Sequence, residues 1–190
     1  MKLLKERILS EGKVINNSIL KVDSFLNHQI DPVLMNEIGK EIYTRFKDYN
    51  ITKILTIEAS GIACAVFAGY HFKLPVVFAK KQSPSTISKD NMLTGSVFSF
   101  TKNKEYEIVV AKDFIKANDR VLIIDDFLAH GNALRGLYEI VKSVNAEVVA
   151  AAIVIEKSFQ LGREKLMDLN IEIQSLSKII SLDNNTITIN

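Results

Sequence analysis

Apolar residues follow two rhythms along this chain, and the alternation between them outlines the fold. Residues 2–10 place leucine and isoleucine among charged neighbours at helical spacing, a short amphipathic helix ended by Gly12. Asp31-Pro32 has the chemistry of a helix start, with Asp as the cap and Pro in the first turn. Val33, Leu34, Ile38, Ile42 and Phe46 then recur on one helical face. Residues 54–57 form a short apolar strand. Ser60-Gly61 reads as a turn, and an Ala-rich helix is expected from about residue 62 to 72. Pro75 opens a second strand, 76–79.

Residues 80–92 are polar, with one Pro and no apolar period, and read as a long loop. Strands at 94–101 and 105–112, joined by Lys102-Asn103-Lys104, predict an antiparallel ribbon. Val121–Ile124 is a β-branched run of the kind found in a buried parallel strand, and it ends in Asp125-Asp126. A loop over 127–132, a helix over 133–144 and a strand over 148–155 follow. A helix near 160–169 and short strands at 171–176 and 186–189 complete the expectation. Strands alternating with helices predict an α/β fold with a mostly parallel sheet. Ligands bind such sheets at the carboxyl ends of the strands. Segments 58–61, 80–92, 125–133 and 156–158 should therefore share one edge.

Composition narrows the function classes. The 190 residues are 47% hydrophobic and 24% charged, the balance of one globular domain spanning 1–190 rather than a disordered chain. A net charge of +2 is too mild to argue for a nucleic-acid partner. The single cysteine, Cys64, allows no internal disulfide and fits a reducing compartment. The longest apolar run, 148–155, is too short to span a bilayer, and the N-terminal residues lack the apolar core of a signal peptide. A cytoplasmic protein with no membrane contact is expected.

The chemistry concentrates in residues 121–133, Val-Leu-Ile-Ile-Asp-Asp-Phe-Leu-Ala-His-Gly-Asn-Ala. A buried strand delivers two adjacent carboxylates, and a short loop with one Gly enters a helix. Backbone N–H groups at a helix start form an anion site. Carboxylates accept hydrogen bonds from vicinal hydroxyls. Together they suit a sugar phosphate. His28 and His71 stand alone, which speaks against a metal site. Cys64, in an Ala-rich helix, reads as a small core residue. Taken alone, Lys157 reads as a lysine snorkelling at a strand end, and Asn27 as a loop residue.

The segment 121–133 resembles the phosphoribosyl diphosphate (PRPP) signature of the type I phosphoribosyltransferases. The other loops agree with that layout: Glu58-Ala59-Ser60-Gly61 after the first strand, Lys80-Lys81 after the next, and 82–92 at the place of a mobile catalytic loop. The segments 21–29 and 154–159 resemble the base-recognition segments of bacterial xanthine phosphoribosyltransferases. The resemblance implies the type I fold, a mostly parallel central sheet flanked by helices with a small hood from about 1–50 and 170–190. It implies transfer of a phosphoribosyl group from PRPP to xanthine, giving xanthosine 5′-monophosphate (XMP) and diphosphate.

The same resemblance assigns roles. Asp125 and Asp126 become catalytic. Ala129, His130, Gly131, Asn132 and Ala133, with Ser60, Gly61 and Lys81, become PRPP-binding. Leu20, Asn27 and Lys157 become base-binding. Mg²⁺ is expected to ride on PRPP and diphosphate rather than on a protein site, and the enzyme to be a homodimer. The loop 129–133 carries no hydroxyl residue, so backbone amides, with Asn132 or His130, would hold the phosphate. The alternatives are a PRPP- or nucleotide-sensing regulator on the same fold, or a transferase for guanine, hypoxanthine or adenine.

Overall fold

The chain opens with helix α1 (Lys2–Glu11), closed by Gly12 as expected, and a small antiparallel hairpin of β1 (Lys13–Ile15) and β2 (Ile19–Lys21) in the computed structural model, which describes residues 1–82, 88–99 and 104–190. The hairpin strands are too short to show an alternation, and the sequence reading misses them. Asn16 and Asn17 between them take left-handed backbone, φ 51° and 52°, a conformation Asn tolerates and tight turns use. A single wide helical turn, Asp23–Asn27, leads to α2 (Pro32–Phe46). Asp31 caps α2 as expected, accepting from Val33 N at 3.0 Å and Leu34 N at 3.1 Å.

Next come β3 (Lys53–Ile57), α3 (Ser60–Phe72) and β4 (Val76–Ala79). The antiparallel ribbon is β5 (Met92–Ser99) with β6 (Lys104–Ala111). It is followed by β7 (Arg120–Leu128), α4 (Asn132–Ser143), β8 (Glu147–Lys157), β9 (Glu172–Ser181) and β10 (Thr188–Ile189). Among the described residues one six-stranded sheet forms in the order β10-β9-β8-β7-β3-β4. All its pairings are parallel except β10 on β9. The α/β expectation holds.

Alternation on the buried strands divides the core between the two faces. Leu122, Ile124, Ala150, Ala152 and Val154 face α1, α2, α3 and the β1–β2 hairpin. Val121, Ile123, Ala151 and Ile153 face α4 and the β5–β6 ribbon.

Four details depart from the sequence reading. Ser60-Gly61 is the first turn of α3, not a turn before it. The helix expected near 160–169 is two tight three-residue-per-turn segments, Ser158–Gln160 and Glu164–Leu169, separated by Leu161 with φ 56°. Only Leu166 and Leu169 are buried in the second segment, a three-residue spacing that suits the tighter turn. Asp125 and Asp126 lie within β7, which continues to Leu128, so the loop is only 129–131. The polar stretch 80–92 is not loop throughout: Lys80 pairs with Val109 of β6, and Lys89–Asn91 makes a tight turn into β5. The centre of the expected catalytic loop, 83–87, and the ribbon turn, 100–103, lie outside the described residues. Among the described residues no helix is long and apolar enough to cross a membrane.

Candidate active site

Parallel pairing brings the ends of β3, β4, β7 and β8 to one edge, and the polar residues of the strand ends gather there. Asp125 is almost fully buried, 4% exposed, while Asp126 is half-buried beside it. The Asp126 amide donates to Asp125 Oδ1 at 3.0 Å. Burial, reinforced by the neighbouring charge of Asp126, raises the Asp125 pKa well above the usual carboxylate value, and the charge of Lys81 works against that rise. The pair therefore resists carrying two full negative charges and favours a partner that brings positive charge or hydroxyl donors.

The N-terminal segment reaches this pair through Asn27, at the end of the wide turn after β2. Its amide Nδ2 donates to Asp126 Oδ2 and to Ser60 Oγ, each at 3.0 Å. Asn27, Ser60 and Asp126 thus converge from three elements far apart in sequence. Gly61 stands beside them for a steric reason. A Cβ there would run into Thr56 Oγ1 and come within 3.2 Å of Asp125 Oδ1. The peptide between Glu58 and Ala59 is cis. Glu58 Oε1 accepts from the Lys81 amide at 2.6 Å, which ties the loop after β3 to the loop after β4.

The loop between β7 and α4 turns at Gly131, whose φ of 87° lies in the left-handed region. A Cβ there would also meet Leu166 and the Gly162 carbonyl at 3.0 Å. Gly162 packs in turn against the Ala129 carbonyl and the Gly131 amide, so the segment after β8 backs the loop directly. Ala133 lies in the first turn of α4, next to the amides that open the helix. Asn132 donates to the Phe98 carbonyl at 2.7 Å, so its side chain anchors the loop to the ribbon. His130 is half-buried. Burial lowers its pKa, the charge of Lys165 adds to that, and a hydrogen bond with the Gln160 backbone opposes it.

Lys157 ends β8, half-buried, with Nζ 5.4 Å from the centre of the Phe127 ring and donating to the Ser18 carbonyl at 3.4 Å. Leu20 is 5% exposed and belongs to the core on the α1, α2 and α3 face of the sheet. Two hollows of the surface lie elsewhere. One of about 810 Å³ flanks Val66, Tyr70 and Leu74 of the α3 region, and one of about 450 Å³ runs between β4 and β6. Neither brings carboxylates and loop amides together, and the polar strand ends mark the site.

A family model for the phosphoribosyl transferase domain matches residues 22–187. The chain belongs to this family. It is 53% identical over 189 residues to a xanthine phosphoribosyltransferase of Staphylococcus epidermidis, covering 100% of this chain and 98% of that one. It is 54% identical over 188 residues to a xanthine phosphoribosyltransferase of Bacillus cereus, covering 99% and 95%. The adenine phosphoribosyltransferase structure from Thermoanaerobacter pseudethanolicus superposes with a TM-score of 0.76 over 92% of this chain and 99% of that one, at 22% identity. That likeness shows the type I phosphoribosyltransferase fold.

Sequence reasoning about this phosphoribosyltransferase overlooks one group beneath the edge. Glu156, 3% exposed on β8, accepts from Arg163 Nε at 3.0 Å, Arg163 Nη2 at 2.5 Å and Ser175 Oγ at 2.5 Å. Burial opposes its charge, but the Arg163 and Ser175 hydrogen bonds prevail and lower its pKa. Arg163 also donates to the Ile173 carbonyl at 2.7 Å. Gly162-Arg163 just beyond a strand end was the available signal, and the expected helix obscured it.

Proposed function

We propose that this chain converts xanthine and PRPP to XMP and diphosphate, a purine-salvage transfer. The carrying observation is the convergence of Asp125, Asp126, Ser60 and Asn27 at one sheet edge, on a chain 53% identical from end to end to a named xanthine phosphoribosyltransferase.

In this reading Asp125 and Asp126 accept from the 2′- and 3′-hydroxyls of the ribose. Their negative charge favours the positive charge that grows at C1′ as the bond to diphosphate breaks. The amides of 129–133, at the α4 N-terminus, hold the 5′-phosphate, with Gly131 giving close approach. Ser60, Gly61 and Lys81 meet the departing diphosphate. Leu20, Asn27 and Lys157 face the base, and the hood built from about 1–50 and 170–190 covers it. The resemblance gives segment 82–92, of which 83–87 lie outside the described residues, the task of excluding water from the reacting centre.

Among the described residues no cluster of three or more His, Cys, Asp or Glu side chains is placed to hold a metal. A donor set limited to Asp125 and Asp126 at the ribose position suits Mg²⁺ that arrives on diphosphate oxygens, where it would neutralise the leaving group. The enzyme is read as a cytoplasmic homodimer, with xanthine, PRPP and XMP as its ligands. The lone, buried Cys64 is consistent with a reducing compartment, and exposed Phe78 and Phe114 beside the β4 edge offer an apolar surface for a second copy.

The test is a spectrophotometric panel of xanthine, hypoxanthine, guanine and adenine with PRPP. Turnover strongest on xanthine supports the assignment; PRPP binding without consumption of any base refutes it. Asp126→Asn should lower kcat/KM for PRPP by at least about tenfold, roughly 1.4 kcal/mol at the transition state.

A further inference from the structure

Arg7 of α1 grips both ends of the segment that carries Asn27. Its Nη1 donates to Asp31 Oδ2 at 2.7 Å. Its Nε lies 2.5 Å from Glu11 Oε1, and the other oxygen of Glu11 accepts from Ser24 Oγ at 2.7 Å. The guanidinium carbon stands 5.3 Å from the centre of the Phe25 ring. Directly or through Glu11, one side chain thus reaches Ser24, Phe25 and Asp31, which bracket Asn27. Arg7, Glu11 and Asp31 are each half-buried, so solvent screens these contacts less than it would on an open surface. The bond from Arg7, with those from the Leu34 and Val33 amides, holds the Asp31 carboxyl below its usual range.

The segment needs such an anchor. Phe25 and Leu26 are buried, whereas Asn27, His28, Gln29 and Ile30 are exposed. Apolar burial is non-directional, so it holds the segment down without fixing its angle. The segment's own bonds settle its internal shape. The Gln29 amide donates to the Asp23 carbonyl at 2.7 Å, Gln29 Nε2 to the Ser24 carbonyl at 3.0 Å, and the Asp31 amide to the Phe25 carbonyl at 3.1 Å. Its placement over the strand ends depends on what it is fastened to. α1 supplies the mount, because Leu4 and Ile8 are buried in the core face shared with α2 and α3. A guanidinium presents N–H groups in several fixed directions, so one arginine can hold two carboxylates and cover a ring, where an ammonium acts as a point charge.

We propose that Arg7 is a positioning residue, which holds segment 23–31 so that the Asn27 amide stays over Asp126 and Ser60. Its effect on turnover rests on the reading of Asn27 as a base-binding residue, while the placement itself can be read separately. Asn27 Nδ2 meets Asp126 Oδ2 and Ser60 Oγ at 3.0 Å each. Without Arg7 the segment is free to swing, and the amide is in place for only a fraction of the time. A binding group that is competent for a fraction of the time weakens apparent affinity by that fraction. The loss falls on the base. The chemistry at C1′ uses Asp125 and Asp126 of β7, whereas Arg7 bonds to Glu11 and Asp31, so kcat and PRPP affinity are kept.

The test measures kcat, KM for xanthine and, by calorimetry, PRPP affinity in wild type, Arg7→Met, Arg7→Lys, Asn27→Ala and the double variant of Arg7→Met with Asn27→Ala. Asp31→Asn joins them because Asn caps a helix as well as Asp does, so α2 stays capped while the charge opposite Arg7 is removed. Arg7→Met should raise KM for xanthine by about five- to tenfold, with kcat and PRPP affinity within about twofold of wild type. Arg7→Lys and Asp31→Asn each keep part of the network and should fall between. In the double variant Arg7→Met should add nothing to the effect of Asn27→Ala. The Asn27 side-chain amide resonance in heteronuclear NMR, identified by its absence from Asn27→Ala, should move in Arg7→Met towards the position of a solvated amide. Should Arg7→Met fail to fold, Arg7→Lys and Asp31→Asn carry the same readouts. An unmoved resonance overturns the proposal, and so does a xanthine KM that rises in Asn27→Ala but not in Arg7→Met. Effects that multiply in the double variant also overturn it, since Arg7 then acts by a route other than Asn27. A moved resonance with an unchanged xanthine KM in Asn27→Ala supports the placement by Arg7 and overturns the base-binding reading of Asn27.

Discussion

Arg163→Met strips the guanidinium from a carboxylate that has almost no access to water. The Glu156 side chain is 4% exposed and that of Arg163 is 32% exposed. Removing one partner of a buried pair costs about 3–5 kcal/mol, because the remaining charge stays buried. The partial exposure of Arg163 admits some solvent and the Ser175 hydroxyl remains, so the lower end, about 3 kcal/mol, applies. For a chain of 190 residues that corresponds to a fall in Tm of roughly 6–12 °C. Adding Glu156→Gln to Arg163→Met removes the stranded charge and should recover at least about half of the loss.

The pH dependence sharpens this test. In wild type the folded-state pKa of Glu156 is lowered, so its contribution is present above the unfolded carboxylate range and is lost as pH falls through the folded value. Without Arg163 the burial that now opposes the charge is left dominant, and the folded pKa rises. The variant is then least stable at neutral pH, and its deficit shrinks below about pH 5 as Glu156 takes up a proton. Thermal melts of the three proteins from about pH 4 to 8 measure all of this. A Tm loss under about 2 °C, or one independent of pH, refutes the reasoning. Because Gly162 packs against Ala129 and Gly131, KM for PRPP should also rise in Arg163→Met and recover in part in the double variant.

Three further expectations follow from the same edge. Asp125→Asn should lose most activity yet melt higher, by about 2–4 °C at pH 7. Its folded pKa is raised, so the carboxyl stabilises the fold only while protonated and loses that contribution as pH rises through the folded value. A lower Tm in differential scanning calorimetry contradicts this. Gly131→Val should raise KM for PRPP and lower Tm by about 3–8 °C, since φ is 87° and the new side chain meets buried Leu166; normal melting would show that the loop can reshape. Asn27→Ala should raise KM for xanthine with PRPP affinity by calorimetry near wild type, and an unchanged xanthine KM would remove Asn27 from base recognition.

What the sequence disclosed, and what it hid, divides along a physical line. Val121–Ile124 followed by two carboxylates and a glycine was readable because a buried parallel strand must be uniformly apolar, and charges at its end stand out against it. Asp31-Pro32 was readable because capping is local chemistry, settled within a few residues. The β1–β2 hairpin escaped because each strand has only three residues, and its Asn16-Asn17 turn was the sole local mark. The segment after β8 reads as a helix in the sequence, but Glu156 draws Arg163 inward and Gly162 lies against the loop of β7. These are pairings between elements, and no local period encodes them. The same distinction governs the site. The acid pair was visible on one strand, whereas its contact with Asn27 joins residues 99 positions apart and exists only once β3, β7 and the turn after β2 have assembled. Lys157 belongs to the second kind. Its strand is legible, but what its ammonium meets, the Phe127 ring and the Ser18 carbonyl, appears only once β7, β8 and the β1–β2 turn have assembled.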